Sequence, residues 1–274
     1  MAILAGVSQI NGMDFITMAT RITIITVCYN ALKDLKKTAD SVYRQTYQNV
    51  EYLIVDGNST DGTRTYLDTQ QLRFASSHID FRYVSESDDG IYDAMNKGTK
   101  LATGDFLLFL NAGDYLADED VLSSIFSDND YSSASVVYGN HITSDGTNFQ
   151  KIQVMDARGL RKTMIFSHQA AFIRRSEQLR YPYNPQYHIC ADYDFFLHLY
   201  LEGKSFVRVP VYVSVFQEGG LCQQSVNRTT KQVFDVRRAH GIINKRNYLF
   251  YWLKRWQYVI RKGVISRFRK NGRV

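Results

Sequence analysis

The chain has 274 residues, of which 45% are hydrophobic and three are proline, so it can form one large folded domain and is not a disordered polypeptide. Its net charge of +6 is unevenly placed, because residues 236–274 hold twelve Lys and Arg but no Asp or Glu. The remaining 21 basic and 27 acidic residues give residues 1–235 a net charge of −6, which argues against nucleic acid as a partner.

The three cysteines, Cys28, Cys190 and Cys222, lie far apart and predict neither a metal site nor a disulfide framework. No apolar run reaches the roughly 18 residues of a membrane-spanning helix. The first twenty residues lack the charged start and long apolar segment of a secretory signal. We therefore expect a protein of the reducing cytoplasm.

The order of predicted elements favours an α/β fold with a mainly parallel central sheet, because short apolar runs alternate with segments of helical spacing. Residues 1–20 are weakly patterned and are expected to form a peripheral extension to a domain over 21–235. In its first half, 21–115, the predicted strands are 21–27, 52–55, 81–84 and 106–110, and the predicted helices are 34–45, 60–67 and 92–102. The second half, 116–235, is mixed, with predicted strands at 136–138, 170–173 and 206–215, a hairpin over 140–155 and a helix over 193–202.

Aspartates follow three of the predicted strands: Asp56, the Asp88-Asp89 pair and Asp114. In an open α/β sheet the ligand binds at the carboxyl ends of the strands, where these side chains would meet. Clustered carboxylates repel one another unless a cation or hydrogen-bond donors join them, and oxygen ligands favour Mg²⁺ or Mn²⁺. The alternative is that each Asp only ends a strand or caps a helix. No glycine-rich phosphate loop follows the first strand.

Four motifs, in order along the chain, carry a resemblance to a known family. They are Thr26-x-x-Tyr29-Asn30, Val55-Asp56-Gly57-x-Ser59-x-Asp61-Gly62-Thr63, Asp88-x-Gly90-Ile91-Tyr92-Asp93-Ala94-Met95-Asn96-Lys97-Gly98 and Asn111-Ala112-Gly113-Asp114. Over roughly residues 21–220 the chain resembles a family 2 glycosyltransferase of GT-A fold, of the type that builds bacterial surface polysaccharides. The resemblance implies a nucleotide-binding half over 21–115 and an acceptor-binding half over 116–235.

The resemblance also implies roles for individual residues. Contacts to a UDP- or GDP-sugar fall to Thr26, Tyr29, Asn30, Asp56, Ser59, Asp88, Asn96, Lys97, Asn111 and Ala112. Asp114 would hold Mg²⁺ or Mn²⁺ on the diphosphate, and Asp192 would be the catalytic base. Contacts to the acceptor or the diphosphate would come from His168, Gln169, Gly219 and Gly220.

The chain departs from the family pattern at two places. The usual Asp-x-Asp-Asp is Asn111-Ala112-Gly113-Asp114 here, which weakens the expected metal site and leaves a metal-independent enzyme open. The usual Glu-Asp before the second-half helix is Ala191-Asp192. Asp192 as a base competes with two alternatives, a helix cap and a base at Asp194.

The basic tail, 236–274, is the second strong feature. Over 248–268 a helix would place Trp252, Trp256 and several aliphatic residues on one face and Lys254 and Arg255 on the other. This pattern predicts basic amphipathic helices lying on an anionic membrane, and packing on the domain or on another subunit is the alternative.

The sequence thus predicts an inverting glycosyltransferase bound peripherally to the inner face of the membrane. Its acceptor would be a lipid-linked or membrane-proximal glycan in polysaccharide assembly. A nucleotidyltransferase and a catalytically impaired nucleotide-sugar-binding scaffold remain as alternatives. The sequence leaves open whether the chain forms a homo-oligomer.

Overall fold

The computed structural model describes residues 4–10, 13–218 and 226–244. The N-terminal extension forms an antiparallel hairpin of β1 (Leu4–Ile10) and β2 (Met13–Met18), which the weak sequence pattern did not predict. The hairpin shares no strand pairing with the main sheet. The tail helix predicted over 248–268 and the turn residues Gly219 and Gly220 lie outside the described residues.

The first half of the main domain has the predicted alternation of strands and helices. In chain order its elements are β3 (Ile22–Cys28), α1 (Leu32–Tyr43), β4 (Val50–Asp56), α2 (Thr63–Phe74), β5 (Asp80–Ser85), α3 (Ile91–Leu101) and β6 (Phe106–Phe109). The four strands are parallel in the order β5-β4-β3-β6, so their carboxyl ends share one edge.

The second half continues the same sheet in the order β6-β10-β8-β11-β7, with β9 paired to β8. Its elements are β7 (Tyr115–Leu116), α4 (Val121–Phe126), β8 (Val136–Ser144), β9 (Phe149–Ile152), β10 (Ala171–Arg174), α5 (Arg175–Arg180), α6 (Ala191–Leu201), β11 (Phe206–Gln217) and α7 (Val226–Ala239). Because β10 runs antiparallel to both β6 and β8, the sheet is mixed; its first half is wholly parallel, and in its second half β8 and β11 also pair in parallel.

The central strands are buried on both faces, which is why they appear in the sequence as unbroken apolar runs. Along β3, Ile22 and Ile24 pack into one core, whereas Ile25 and Val27 pack into the other. Helices α1 and α2 cover the first face, and α3 and α6 cover the second. These helices cover both faces of the sheet, and the edge at the carboxyl ends of the parallel strands is where an open α/β sheet binds its ligand.

Candidate active site

A cavity of about 370 Å³ opens at this edge, where β6 and α6 converge. Its lining combines the turn after β6, the start of α3, the turn before β10, the start of α6 and the end of β11. The polar lining residues include Asp34, Tyr92, Asn111, Asp114, His168, Gln169, His188, Asp192, Gln217 and Glu218. The structure therefore brings Asp114, His168 and Asp192 together, although 78 positions separate the first from the last.

Asp192 is the second residue of α6, and its carboxylate is held on both oxygens. Oδ2 lies 3.2 Å from Nδ1 of His168. Oδ1 accepts hydrogen bonds from the Tyr92 hydroxyl at 3.1 Å and the Tyr193 amide at 2.8 Å. The N-cap residue of α6 is Cys190, so Asp192 does not occupy the capping position. The carboxylate is fixed in orientation at the wall of the cavity.

The competing base, Asp194, lies elsewhere. Its Oδ1 is 2.8 Å from Nε2 of His240, at the end of α7, and the side chain does not line the cavity. About half a helical turn separates the two directions, because residues two apart on a helix face opposite sides. The geometry favours Asp192 over Asp194 as the group that can meet a substrate.

Both ring nitrogens of His168 have hydrogen-bond partners. A carboxylate only accepts, so Nδ1 carries the proton that faces Asp192. Nε2 lies 3.3 Å from Nδ2 of Asn111, from which the neutral ring accepts. This leaves Oδ1 of Asn111 buried, with no hydrogen-bond partner among the described residues. Both ring nitrogens of His168 are engaged, so the imidazole orients Asp192, and Asn111 carries the unpaired oxygen.

Asp114 is 5% exposed and joins three segments. Its oxygens accept from Nε2 of Gln169 at 2.7 Å and from the backbone amide of Gln217 at 2.9 Å. Burial raises the pKa of Asp114 to about 6, although these two hydrogen bonds act to lower it. Asp114, the predicted metal ligand, therefore also links the turn after β6 to the end of β11 through a hydrogen bond.

The side chains of the cavity supply only part of the usual set of ligands for a divalent cation. Among the described residues no three His, Cys, Asp or Glu side chains cluster as a metal site. The unpaired Oδ1 of Asn111 and the carboxylate of Asp114 are nevertheless hard oxygen donors on the same cavity wall. Mg²⁺ is commonly held by one or two carboxylates together with substrate phosphates and water, which is the arrangement that these residues allow.

A second, smaller cavity of about 270 Å³ shares Ile91 with the first. Its lining includes Tyr29, whose ring is 65% exposed, and Asp88. Gly57 explains how Asp88 comes so close to the end of β4, because a Cβ atom there would lie 2.7 Å from Oδ2 of Asp88. A flat exposed ring beside a carboxylate suits a nucleoside, whose base can stack and whose hydroxyls can donate.

Two predicted nucleotide contacts lie beneath this surface instead of on it. Thr26 and Asp56 are 0% exposed. The Thr26 hydroxyl donates to the carbonyl of Leu110 at 2.8 Å. Asp56 accepts from the Ser59 amide at 3.1 Å and the Ser85 hydroxyl at 2.6 Å. Their side chains are held by hydrogen bonds at the strand ends and line neither cavity, and a direct contact of either one with the nucleotide stays a prediction.

Ser59 and Asn30 link the two loops behind Tyr29. The Ser59 hydroxyl accepts from the Asn30 amide at 2.8 Å and also donates to Asp56. The side-chain oxygen of Asn30 accepts from the Thr60 amide at 2.8 Å. Asn30 adopts a positive φ of 48°, which this residue type tolerates. These residues hold the loop that presents Tyr29.

Asn96 and Lys97 do not line either cavity. The Asn96 side chain pairs with the backbone of Tyr183, at 2.8 and 2.9 Å, and so joins α3 to the second half. Lys97 donates to the carbonyl of Ser87 at 2.7 Å and lies 3.2 Å from Glu86. Both side chains have protein partners, and their contact with the donor stays a prediction.

The sequence-based prediction missed several lining residues, among them Tyr92, His188, Ile189 and Phe216. Tyr92 lies within the third motif and was the one that spacing could have indicated. The others come from loops and strand ends with no pattern of their own. Ala112 lines the main cavity, and its contact with the nucleotide sugar stays a prediction.

The fold is of the GT-A type, as solved structures of similar fold show. Staphylococcus aureus TarS 1-349 in complex with UDP-GlcNAc superposes with a TM-score of 0.62 over 79% of this chain and 64% of that chain, at 16% identity. The mannosyltransferase PcManGT from Pyrobaculum calidifontis, in complex with GDP-Man and Mn²⁺, gives 0.60 over 82% of this chain and 65% of that chain, at 20% identity. This chain thus spans about two thirds of these solved chains.

Residues 23–195 match the model of Glycosyl transferase family 2, and the chain belongs to this family. A relative from Mycobacterium tuberculosis (strain ATCC 25177 / H37Ra), named PGL/p-HBAD biosynthesis glycosyltransferase, is 31% identical over 253 residues. That similarity covers 91% of this chain and 96% of the relative. Among the described residues, no helix is both long enough and apolar enough to cross a membrane.

The exposed ring of Tyr29 gives the first test of the nucleotide cleft. Stacking of a base on an aromatic side chain contributes about 1–3 kcal/mol, so Tyr29→Ala should weaken UDP or GDP binding about tenfold or more in calorimetry. Phe149→Ala removes a ring of similar exposure, 63%, on β9 and should leave binding unchanged. Equal affinities for all three proteins would show that the nucleotide binds elsewhere.

Proposed function

We propose that the protein is an inverting glycosyltransferase that moves a sugar from a UDP- or GDP-sugar to an acceptor hydroxyl. The observation that carries this proposal is the position of Asp192, whose oriented carboxylate lines the same cavity as the turn from Asn111 to Asp114. One end of that cavity adjoins the cleft of Tyr29 and Asp88, which suits a nucleoside. The solved structures with bound UDP-GlcNAc and GDP-Man support a nucleotide-sugar donor and do not decide between uracil and guanine as its nucleobase.

The reaction is a single in-line displacement. The acceptor oxygen bonds to the anomeric carbon while the bond from that carbon to the diphosphate oxygen breaks, and the hydroxyl proton passes to Asp192. A base positioned in this way contributes roughly 10²- to 10⁴-fold to the rate. His168 and Tyr92 keep the carboxylate in one orientation, so no reorganisation is needed when the acceptor binds.

Asp192→Asn keeps the shape of the side chain but removes the base. The rate of nucleotide release from UDP-N-acetylglucosamine, UDP-glucose or GDP-mannose in the presence of acceptor should fall about 10²- to 10⁴-fold. UDP or GDP affinity should stay within twofold, because the nucleotide cleft is separate. Asp194→Asn is the matched control and should retain most of the activity. A wild-type rate in Asp192→Asn would refute the base assignment, and nucleotide binding without any transfer by the wild type would favour the catalytically impaired scaffold.

Asp114 and Asn111 are the residues that would hold Mg²⁺ or Mn²⁺. When bound, the cation neutralises charge on the departing diphosphate. A protonated carboxyl is a poor ligand, and burial raises the pKa of Asp114 to about 6. The increase in UDP affinity that Mn²⁺ causes should therefore be full above pH 6 and decline as the pH falls through 6.

Asp114→Asn should remove this increase at every pH, as calorimetric titrations with and without Mn²⁺ would show. Asp120→Asn, an exposed carboxylate before α4, is the matched control. If Mn²⁺ raised UDP affinity equally in wild type and Asp114→Asn, Asp114 would not be a ligand. If Mn²⁺ had no effect on the wild type, the enzyme would work without the cation.

The acceptor is a lipid-linked or membrane-proximal glycan in polysaccharide assembly, and residues 236–274 bind the protein to the inner face of the membrane. The concentration of twelve basic residues there supports this part of the proposal. Removing residues 245–274 should abolish co-sedimentation with vesicles containing anionic lipid at low salt, while UDP binding persists. Retention of vesicle binding would contradict it, and loss of vesicle binding at high salt would confirm the electrostatic contribution.

A further inference from the structure

A turn immediately before α6 carries two backbone amides that are bound by a side chain distant in sequence. The amides of Ile189 and Cys190 both donate to Oε1 of Gln232, at 3.0 and 3.1 Å. Gln232 lies on α7, and Asp192 follows the turn by two residues. Helix starts need acceptors for their first amides, and the side chain of Cys190 makes no capping hydrogen bond. Gln232 therefore supplies an acceptor at the point where α6 begins.

Tyr92, which lines the candidate active site, contacts the same turn. The Tyr92 hydroxyl lies 2.8 Å from the carbonyl of Ile189 and 3.1 Å from Oδ1 of Asp192. One peptide unit thus has its amide on Gln232 and its carbonyl on Tyr92. A displacement of this turn would move both the backbone that carries Asp192 and the tyrosine that orients its carboxylate.

Helix α7 is itself anchored, so Gln232 is presented from a fixed position. Val236 is fully buried in the core that also contains α6. His240, just beyond the helix, lies 2.8 Å from Asp194 of α6. The family match ends at residue 195, so α7 belongs to a segment of this chain beyond the part that the family model describes.

We propose that Gln232 is a positioning residue for transfer, which holds the turn before α6 so that Asp192 meets the acceptor hydroxyl. This inference rests on the proposed function. It assigns to α7 a part in turnover, in addition to joining the basic tail to the domain. A misplacement of about 1 Å at a reacting group can lower a rate about 10²-fold, so loss of two amide contacts is enough for a measurable effect.

The test compares three substitutions on α7. Gln232→Leu removes the acceptor at nearly constant size, Gln232→Glu keeps an acceptor oxygen, and Arg228→Gln changes an exposed residue of the same helix. Turnover is measured as nucleotide release from UDP-N-acetylglucosamine, UDP-glucose or GDP-mannose. Gln232→Leu should lower kcat at least tenfold with the donor KM within twofold, whereas Gln232→Glu and Arg228→Gln should retain kcat within threefold.

Amide hydrogen exchange gives a second readout that needs no substrate. A peptide spanning 187–193 should exchange at least tenfold faster in Gln232→Leu than in wild type, and at the wild-type rate in Gln232→Glu. Wild-type kcat or wild-type exchange in Gln232→Leu would overturn the proposal. So would parallel losses of donor binding and thermal stability with kcat, because these indicate a general structural role.

Two further measurements keep the outcomes distinct. If Gln232→Leu does not fold, Gln232→Asn withdraws the oxygen by one methylene while keeping the amide, and a wild-type kcat there would overturn the proposal. If Asp192→Asn retains the wild-type rate, Asp192 is not the catalytic base and the proposed function fails. An inactive Asp192→Asn together with a fully active Gln232→Leu would refute the positioning role of Gln232 and leave the proposed function intact.

Discussion

The buried carboxylate of Asp114 is the contact on which the site depends most. It joins the turn after β6 to the turn before β10 through Gln169, and to the end of β11 through the amide of Gln217. These segments come from both halves of the domain. Burying a carboxylate is unfavourable without such partners, and the raised pKa of Asp114 reflects this cost. Whatever binds in the cavity meets walls whose relative position this contact fixes.

Several motif residues are buried and support the site from beneath its surface. Thr26 and Asp56 are fully buried and bond to the backbone and hydroxyls of neighbouring strand ends. Gly57, which has no side chain, allows Asp88 to approach the end of β4 closely. The exposed surface is left to a few side chains, chiefly Tyr29 and Asp88. The motif residues therefore also set the shape of the loops that form the surface of the site.

Asp192 shows how the structure orients a reacting group. Hydrogen bonds from Tyr92, the Tyr193 amide and His168 hold its carboxylate. The same contacts fix its direction, and orientation contributes strongly to an in-line reaction. The turn before α6 adds a further level of support, since Gln232 holds the backbone that leads to the base.

The sequence by itself determined the strands and helices of the first half, because a buried strand must be apolar throughout and a helix must repeat its apolar face. It also indicated the edge of the sheet near which Asp56, Asp88 and Asp114 would lie, since parallel strands end together. Only the tertiary structure decided which polar residues face the cavity. Thr26 and Asp56 turned inward, Asn96 and Lys97 found protein partners, and β10 ran antiparallel. The physical reason is that side-chain direction and pairing depend on residues far apart in the chain, as the contact of Gln232 with the turn before Asp192 shows.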